Sequence, residues 1–246
     1  MQPYQERLAR LLASSGALVF GRGLKLKDGR PTPYFVNLGR VCSGRGVVEL
    51  GECMAEWMIT TLGPGEVDVI VGPSYKASAI AQAMTAALWR NHQLELAYDY
   101  DRKEAKTHGE HTGAKGLFVT GAAAGGARVL IVDDVATSMA TKYELLEKLR
   151  AVGVEDVVGL VVVVDREQTE AVYDSRGEVV LGAKGADPVK GFVEATGIPV
   201  WSVLSVRELV EFVAREGLEV VVEGRRVVAG QELVQQVKDY LEVYGR

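Results

Sequence analysis

The chain has 246 residues, of which 48% are hydrophobic and 25% are charged, and its formal net charge at pH 7 is −5. A chain of this length can bury a substantial core, as one α/β domain with embellishments or as two small domains. The negative charge argues against general affinity for nucleic acids or anionic membranes. The two cysteines, Cys42 and Cys53, are too few for a disulfide framework and lack zinc-ligand spacing, which favours a reducing cytoplasm.

The first hundred residues alternate between helical and strand patterns. Leu8, Leu11 and Leu12 predict an amphipathic N-terminal helix and not a signal peptide. The sequence contains no run of about 18 apolar residues, so no membrane span is expected. Residues 24–38 predict a hairpin with Asp28-Gly29 as its turn. The elements predicted next are a helix over 47–62, a buried strand over 67–73, a helix over 78–90 and a strand over 94–100.

The pattern changes in residues 101–127, which are rich in glycine and charge and too long for a simple connector. A strand over 127–134, a helix over 138–151 and a strand over 157–165 follow, and this alternation predicts an α/β fold with a doubly wound parallel sheet. The less regular remainder predicts a hairpin-like segment over 169–182, a helix near 189–196, a strand over 199–206, a helix over 206–216, a hairpin over 218–230 and a final helix over 231–245.

Two adjacent carboxylates, Asp133 and Asp134, follow an apolar run that predicts a buried strand. Ligands of parallel α/β sheets bind beyond the carboxyl ends of the strands, where a carboxylate can hold ribose hydroxyls or a metal and its waters. The hydroxyl-rich turn that follows leads into a helix N-terminus, which favours a phosphate. Two other interpretations exist. The pair could cap the next helix, or mark a receiver domain, although a receiver has its acidic pair near the start of the domain.

A second candidate site follows the predicted strand over 67–73. A tight turn over 72–74 leads to Tyr75 and Lys76, and a lysine at a strand-to-helix turn is well placed to meet phosphate oxygens. Taken alone, a lysine at this position is more often a solvated residue in a first helical turn. The pattern GxxxxGK[ST] is absent from the sequence, so this is not a Walker-type phosphate loop.

The long segment carries several basic side chains, namely Arg102, Lys103, Lys106, His108 and Lys115, with Glu104 and Glu110 among them. Such a run is usually a solvated loop. Its length, glycines and charge are also those of a mobile lid over a polyphosphate. Closing such a lid would exclude water and bring cations to the place where negative charge develops.

These motifs together resemble a known family. The stretch VLIVDDVATSMAT resembles the signature of the type I phosphoribosyltransferases, which bind 5-phosphoribosyl 1-diphosphate (PRPP). The stretches KDGRPTPYFVNLG, GPSYKASAIA, DRKEAKTHGE and VVDREQ, in that order, are similar to those of orotate phosphoribosyltransferases. The resemblance covers most of the chain, with apparent insertions near residues 119–127, 172–187 and 217–230.

The resemblance implies the type I phosphoribosyltransferase fold as a single domain over 1–246. About residues 1–45 would form a small hood, about 101–126 a mobile lid and about 217–230 an inserted hairpin. The implied reaction transfers the phosphoribosyl group of PRPP to a ring nitrogen of orotate, giving orotidine 5′-monophosphate and diphosphate. Magnesium would bridge the diphosphate, held mainly by diphosphate and water. The implied assembly is a homodimer whose lid reaches the neighbouring subunit's site.

The resemblance also assigns roles to individual residues. Asp133 and Asp134 would hold the ribose hydroxyls, and Lys103 would stabilise the departing diphosphate. The catalytic residues implied are Lys103, Asp133, Asp134, Lys106 and His108. The PRPP-binding residues implied are Lys27, Tyr75, Lys76, Arg102, Ala136, Thr137, Ser138, Met139, Ala140 and Thr141. The orotate-binding residues implied are Phe35, Val36, Thr137 and Arg166; a guanidinium can hold a carboxylate through two parallel hydrogen bonds.

The sequence departs from the family pattern in the phosphate turn, where Met139 and Ala140 replace one or two glycines. Glycine there admits close backbone approach and unusual dihedral angles. We expect Met139 to point away from the phosphate; the alternative is weak PRPP binding. Two other functions stay open, a PRPP-binding regulator that does not catalyse and a phosphoribosyltransferase for a purine base.

Overall fold

The computed structural model describes residues 1–103 and 116–246, which form nine strands and seven α-helices. The strands are β1 (Leu18–Phe20), β2 (Tyr34–Val36), β3 (Val69–Val71), β4 (Ala97–Asp99), β5 (Val129–Ala136), β6 (Val157–Asp165), β7 (Val200–Ser205), β8 (Glu219–Val222) and β9 (Arg225–Val228). The helices are α1 (Pro3–Ser14), α2 (Gly44–Thr61), α3 (Lys76–His92), α4 (Ala140–Ala151), α5 (Pro188–Thr196), α6 (Val206–Arg215) and α7 (Gln231–Tyr244). None of these helices is long and apolar enough to cross a membrane.

A five-stranded parallel sheet in the order β4-β3-β5-β6-β7 forms the centre of the molecule. Strand β5 is apolar in consecutive positions because both of its faces are buried. Leu130 and Val132 belong to the core on one side of the sheet, whereas Val129 and Ile131 belong to the core on the other. The predicted doubly wound α/β fold is confirmed.

The direction of winding reverses between β3 and β5, which are neighbours in the sheet. The chain leaves β3 through α3 toward β4 at one edge, and it leaves β5 through α4 toward the opposite edge. Such a reversal is called a topological switch point, and it opens a crevice at the carboxyl ends of the two strands. Residues 72–76 after β3 and residues 137–141 after β5 therefore flank the same crevice.

A second sheet of four strands, in the order β2-β1-β8-β9, contains the N-terminal strands and the hairpin that was predicted over 218–230. The hairpin predicted over 24–38 is confirmed around its Asp28-Gly29 turn, where Lys25 forms an antiparallel bridge with Pro31 and the backbone N–H of Leu26 donates to the carbonyl of Arg30 at 2.9 Å. Beyond this turn the prediction is wrong, because strand β2 pairs with β1, which is apolar and alternates into the core. The carboxylate of Asp28 accepts hydrogen bonds from the backbone and guanidinium of Arg30, which holds this turn outside the sheet.

Strand β5 is longer than predicted. It continues through Asp133 and Asp134 to Ala136, because its pairing with β6 runs on to the partners Ala136 and Asp165. The acidic pair thus belongs to the strand itself, and the helix that follows begins six residues after Asp134, at Ala140. The hairpin-like segment predicted over 169–182 is confirmed in a short form: Tyr173 forms an antiparallel bridge with Val179, and backbone hydrogen bonds join Asp174 to Glu178 and Val180 to Val172.

Candidate active site

Asp133 and Asp134 occupy successive positions of β5 and therefore point to opposite faces of the sheet. The buried carboxylate of Asp133 lies under α4, where it forms an ion pair with Lys142 and accepts a hydrogen bond from the backbone N–H of Asp134 at 2.8 Å. Asp134 faces α3, and its Oδ2 lies 3.3 Å from Nζ of Lys76. Burial raises the pKa of Asp133, Lys142 opposes this rise, and the charge of Asp134 adds to it. The two carboxylates therefore have different environments.

The turn over residues 137–141 leads from β5 into the N-terminus of α4. Thr137 is half-buried, whereas Ser138 and Thr141 are exposed. No side chain caps the helix. Among the described residues, the backbone N–H groups of 138–141 donate to no acceptor. Free N–H groups and hydroxyls at a helix N-terminus are the donors that a phosphate monoester requires.

Met139 points into the protein and away from this turn. Its side chain is 1% exposed and belongs to the core that also contains Val71, Leu145 and Phe192. Its φ angle is −90°, so the backbone here has a conformation open to any residue and does not require glycine. The orientation expected for Met139 is therefore the one observed.

The turn after β3 brings a second set of donors to the crevice. Tyr75 and Lys76 are exposed at the start of α3, and the peptide bond between Ser74 and Tyr75 is cis. Gly72 packs directly against the backbone of Ala77, and a Cβ atom at position 72 would overlap that backbone. This glycine therefore allows the turn to fold tightly under the first turn of the helix.

Asp101, which the sequence reasoning missed, fixes this turn from the neighbouring strand end. Its buried carboxylate accepts a hydrogen bond from the backbone N–H of Ser74 at 2.7 Å and forms an ion pair with Lys148 of α4. Lys148 also donates to the carbonyl of Arg102 at 3.1 Å. An aspartate at the end of a predicted strand, directly before Arg102 and Lys103, was the available signal.

The start of the predicted lid lies beside the same turn. Nζ of Lys103 lies 5.8 Å from the ring centroid of Tyr75. The backbone N–H of Arg102 donates to the carbonyl of Leu117 at 2.7 Å, so the two ends of the segment are adjacent. Arg102 itself is half-buried. The predicted residues Lys106 and His108, together with Lys115, lie outside the described residues.

A cavity of about 520 Å³ at the switch point brings together four of the ten residues predicted to bind PRPP and three of the five predicted catalytic residues. The predicted residues that line it are Tyr75, Lys76, Lys103, Asp133, Asp134, Thr137 and Thr141. Among the unpredicted lining residues are Asp101, Lys142 and Glu144. Of the other predicted residues in the turn, Ala136 and Met139 are buried, whereas Ala140 is exposed. The cavity thus combines cations, hydroxyls and carboxylates as a sugar phosphate requires.

A second cavity of about 490 Å³ adjoins the first. It is lined by the predicted residues Lys27, Thr137 and Ser138 and by the unpredicted residues Gln168 and Tyr173. Thr137 lines both cavities, so the two cavities meet at this residue. A larger cavity of about 960 Å³ lies between the second sheet and α7 and contains none of the predicted residues.

Arg166 is buried and does not line the second cavity, but it contacts Gln168, which does. Its Nε donates to Gln168 at 3.0 Å, and its guanidinium also donates to the hydroxyl of Thr32 at 3.0 Å. The guanidinium is 5.8 Å from the ring centroid of Phe35, which is half-buried. Strand alternation turns Val36 into the main hydrophobic core, away from Phe35. The structure therefore brings Arg166 and Phe35 together and separates Val36 from them.

Comparison with known proteins identifies similar sequences over most of the chain. The phosphoribosyl transferase domain family matches residues 44–191. An orotate phosphoribosyltransferase of Bifidobacterium adolescentis is 34% identical over 209 residues, which are 83% of this chain and 84% of the relative. One of Bifidobacterium longum is 33% identical over 243 residues, or 97% and 96% of the two chains. The crystal structure of orotate phosphoribosyltransferase from Francisella tularensis superposes with a TM-score of 0.67 at 25% identity, covering 95% of this chain and 96% of that one.

Proposed function

The chain belongs to the orotate phosphoribosyltransferase family of phosphoribosyl transferases, and we propose that it joins the phosphoribosyl group of PRPP to orotate. The products are orotidine 5′-monophosphate and diphosphate, as in the synthesis of pyrimidine nucleotides. The observation that carries this function is the position of Thr137, which lines both cavities. The cavity of about 520 Å³ is called the sugar-phosphate cavity below, and the adjoining one of about 490 Å³ remains the second cavity. A base in the second cavity would meet the ribose of a ligand in the first.

The sugar phosphate would bind from both sides of the switch point. Thr137, Ser138 and Thr141 and the free N–H groups at the start of α4 would hold the 5′-phosphate. Lys76 and Tyr75 would hold the diphosphate, with Arg102 supporting them from the neighbouring strand end. Of these residues, Tyr75, Lys76, Thr137 and Thr141 line the same cavity.

Bond breaking leaves positive charge on the ribose and carries the electron pair away with the diphosphate. The ring nitrogen of the base then supplies the pair that forms the new bond to the same ribose carbon. The carboxylates of Asp133 and Asp134 would stabilise the positive ribose, and the ammonium of Lys103 would stabilise the departing diphosphate. Both kinds of charge line the cavity.

Magnesium is the metal we propose to accompany PRPP. The oxygen donors among the described lining residues are hydroxyls and carboxylates, and the cavity lining includes no sulfur or imidazole group. This chemistry suits Mg²⁺, which keeps several waters and is commonly bound through substrate phosphates. The hydroxyls of Thr137 and Thr141 would accept hydrogen bonds from those waters. When bound, the metal would neutralise charge on the diphosphate.

Orotate would occupy the second cavity, with Lys27 in its wall. Phe35 does not line this cavity, so its proposed contact with the orotate ring would require its side chain to turn toward the ligand. The orotate carboxylate would be recognised by Arg166, which is 2% exposed and lies behind the cavity wall, where its Nε donates to Gln168. Binding would require the guanidinium to exchange part of its present hydrogen bonding for the ligand carboxylate. A charged partner makes that exchange favourable, because hydrogen bonds between two ionised groups are stronger than neutral ones. The polar edge of the base would also meet Thr137, and the predicted contact with Val36 would have to be made through its backbone.

The proposed assembly is a cytoplasmic homodimer in which the lid residues Lys106 and His108 act on the partner's site. Residues 1–45 and the hairpin over 217–230 would form a hood beside that site. Lys103, at the start of the lid, lines the cavity of its own chain, so the residues proposed to cross are those further along the lid. Mixing inactive Lys106→Ala protein with inactive Asp134→Asn protein should restore turnover, because a mixed dimer has one site with both groups intact. Mixtures that stay inactive would contradict action of the lid in trans.

The function is tested by the fall in orotate absorbance when protein is mixed with orotate, PRPP and magnesium. Loss of signal that requires all three would establish the transferase. Guanine and hypoxanthine should not compete with orotate, and competition by either would favour a purine enzyme. PRPP binding measured by calorimetry without turnover would instead favour a regulator.

A further inference from the structure

The first turn of α4 contains a buried lysine. The side chain of Lys142 is 4% exposed, and its ammonium forms the ion pair with Asp133 that was described above. The same ammonium lies 3.5 Å from the carbonyl oxygen of Val135. Lys142 also lines the sugar-phosphate cavity, although neither the sequence pattern nor the family resemblance singled it out.

Burying a lysine without a partner is strongly unfavourable, and the same is true of a carboxylate. Asp133 lies on β5 and Lys142 lies on α4, which covers the same face of the sheet. The two charged groups are in contact, so each compensates the charge of the other. The second oxygen of Asp133 is fixed by the backbone N–H of Asp134. The carboxylate is therefore held in one orientation at the floor of the cavity.

We propose that Lys142 is a positioning residue for the transferase reaction, which keeps Asp133 ionised and oriented toward the ribose. This inference rests on the proposed function. An ammonium has three donors, and the two used inside the protein leave one for the cavity side. Without Lys142, the buried carboxylate would take up a proton and lose its ability to stabilise a positive ribose.

The charges around Asp133 come from four elements. Lys142 and Glu144 belong to α4, Asp134 belongs to β5, Lys76 belongs to α3, and Asp101 and Lys103 follow β4. Asp101 is neutralised by Lys148, and Asp134 is opposed by Lys76. On the β6 side the residue paired with Asp133 is the apolar Val162. Lys142 is therefore the cation that directly contacts Asp133.

The test compares Lys142→Met, Lys142→Arg and the double variant Asp133→Asn/Lys142→Met with wild type, by kcat and KM across pH and by thermal unfolding. Lys190→Met, at an exposed pair with Glu194, is the matched control and should behave as wild type. In Lys142→Met, kcat/KM for PRPP at neutral pH should fall about tenfold or more. The acid limb of the profile of kcat/KM against pH should move to higher pH by about one to three units. Lys142→Arg should keep the acid limb near its wild-type position because it keeps a cation.

The double variant separates positioning from stability. Both charges are removed, so its unfolding temperature should recover toward wild type while turnover stays low. Recovery of turnover together with stability would overturn the inference, because the pair would then be only structural. An unmoved acid limb in Lys142→Met would also overturn it. An inactive wild type would overturn the proposed function and this inference together, whereas full activity of Lys142→Met would overturn the inference alone.

Discussion

The ammonium of Lys76 lies 3.3 Å from the carboxylate of Asp134, and this contact joins the two sides of the switch point. Lys76 begins the helix after β3, whereas Asp134 belongs to β5 itself. The side chain of Lys76 is 58% exposed, so the pair contributes little to the stability of the fold. A cation and a carboxylate held together at a crevice, with little stability gained, are available to a ligand that carries phosphates and hydroxyls.

Replacing Lys76 should therefore weaken substrate binding without affecting the fold. We expect Lys76→Met to raise KM for PRPP by about 10- to 100-fold, the effect of losing one hydrogen bond to a charged group. The unfolding temperature should stay within about 1 °C of wild type, because exposed pairs contribute little. Initial rates at varied PRPP and a thermal melt measure both quantities.

Lys238→Met is a suitable control, because Lys238 forms a similar exposed pair with Glu211 on another part of the surface. It should leave KM for PRPP unchanged. Equal effects of the two variants would show that Lys76 acts only through general surface charge.

Lys103→Ala should lower turnover sharply while the protein stays folded. Lys103 is exposed at the cavity, and Tyr75 is the aromatic ring beside it. If its ammonium stabilises the departing diphosphate, kcat should fall by about 100-fold or more, as for the loss of one preorganised donor in a transition state. Circular dichroism and steady-state kinetics test this, and turnover equal to wild type would remove Lys103 from the catalytic role.

Met139→Gly should destabilise the protein and give no tighter PRPP binding. Met139 is buried in the core between α4 and the sheet, and its backbone does not need glycine. Truncating a buried methionine costs about 2–5 kcal/mol, measured by urea unfolding. Met139→Leu, which conserves volume, should cost less than about 1.5 kcal/mol.

The kinetic arm of the same experiment tests the phosphate turn. KM for PRPP should be the same in wild type and Met139→Leu at a temperature where both are folded. A large fall in KM for Met139→Gly would mean that the family glycine improves phosphate binding and that Met139 obstructs the turn.

The central sheet and the two turns that flank the sugar-phosphate cavity, over 72–76 and 137–141, could be predicted from the sequence, because each depends on a local pattern. Consecutive apolar residues marked β5, and parallel strands bring the residues after them to one edge. The orientation of Met139 followed from the chemistry of its side chain. An apolar residue in a polar turn is most stable when it turns inward.

Contacts between elements that are distant in sequence could not be predicted in this way. The partner of Asp133 is Lys142, on the far side of a turn whose geometry no periodicity reveals. The pairing of β2 with β1, and not with the residues before the Asp28-Gly29 turn, depends on which strand offers an apolar partner face. Strand β8 joins the same sheet although about 200 residues separate it from β1, a pairing that depends on loop paths across the molecule.

Tyr173 is expected to contribute to orotate binding in the second cavity. It lies in the segment 172–187, an apparent insertion relative to the family pattern, and it lines the cavity with Lys27 and Gln168. Val179 of the same segment lies against the turn at Gly29, which holds the segment over the cavity. Tyr173→Ala should raise KM for orotate several-fold, because the cavity loses a wall of aromatic surface, while KM for PRPP stays unchanged. Tyr173→Phe keeps the ring and should retain the wild-type KM for orotate. A parallel rise in both KM values for Tyr173→Ala would show that the segment affects the whole crevice and does not select the base.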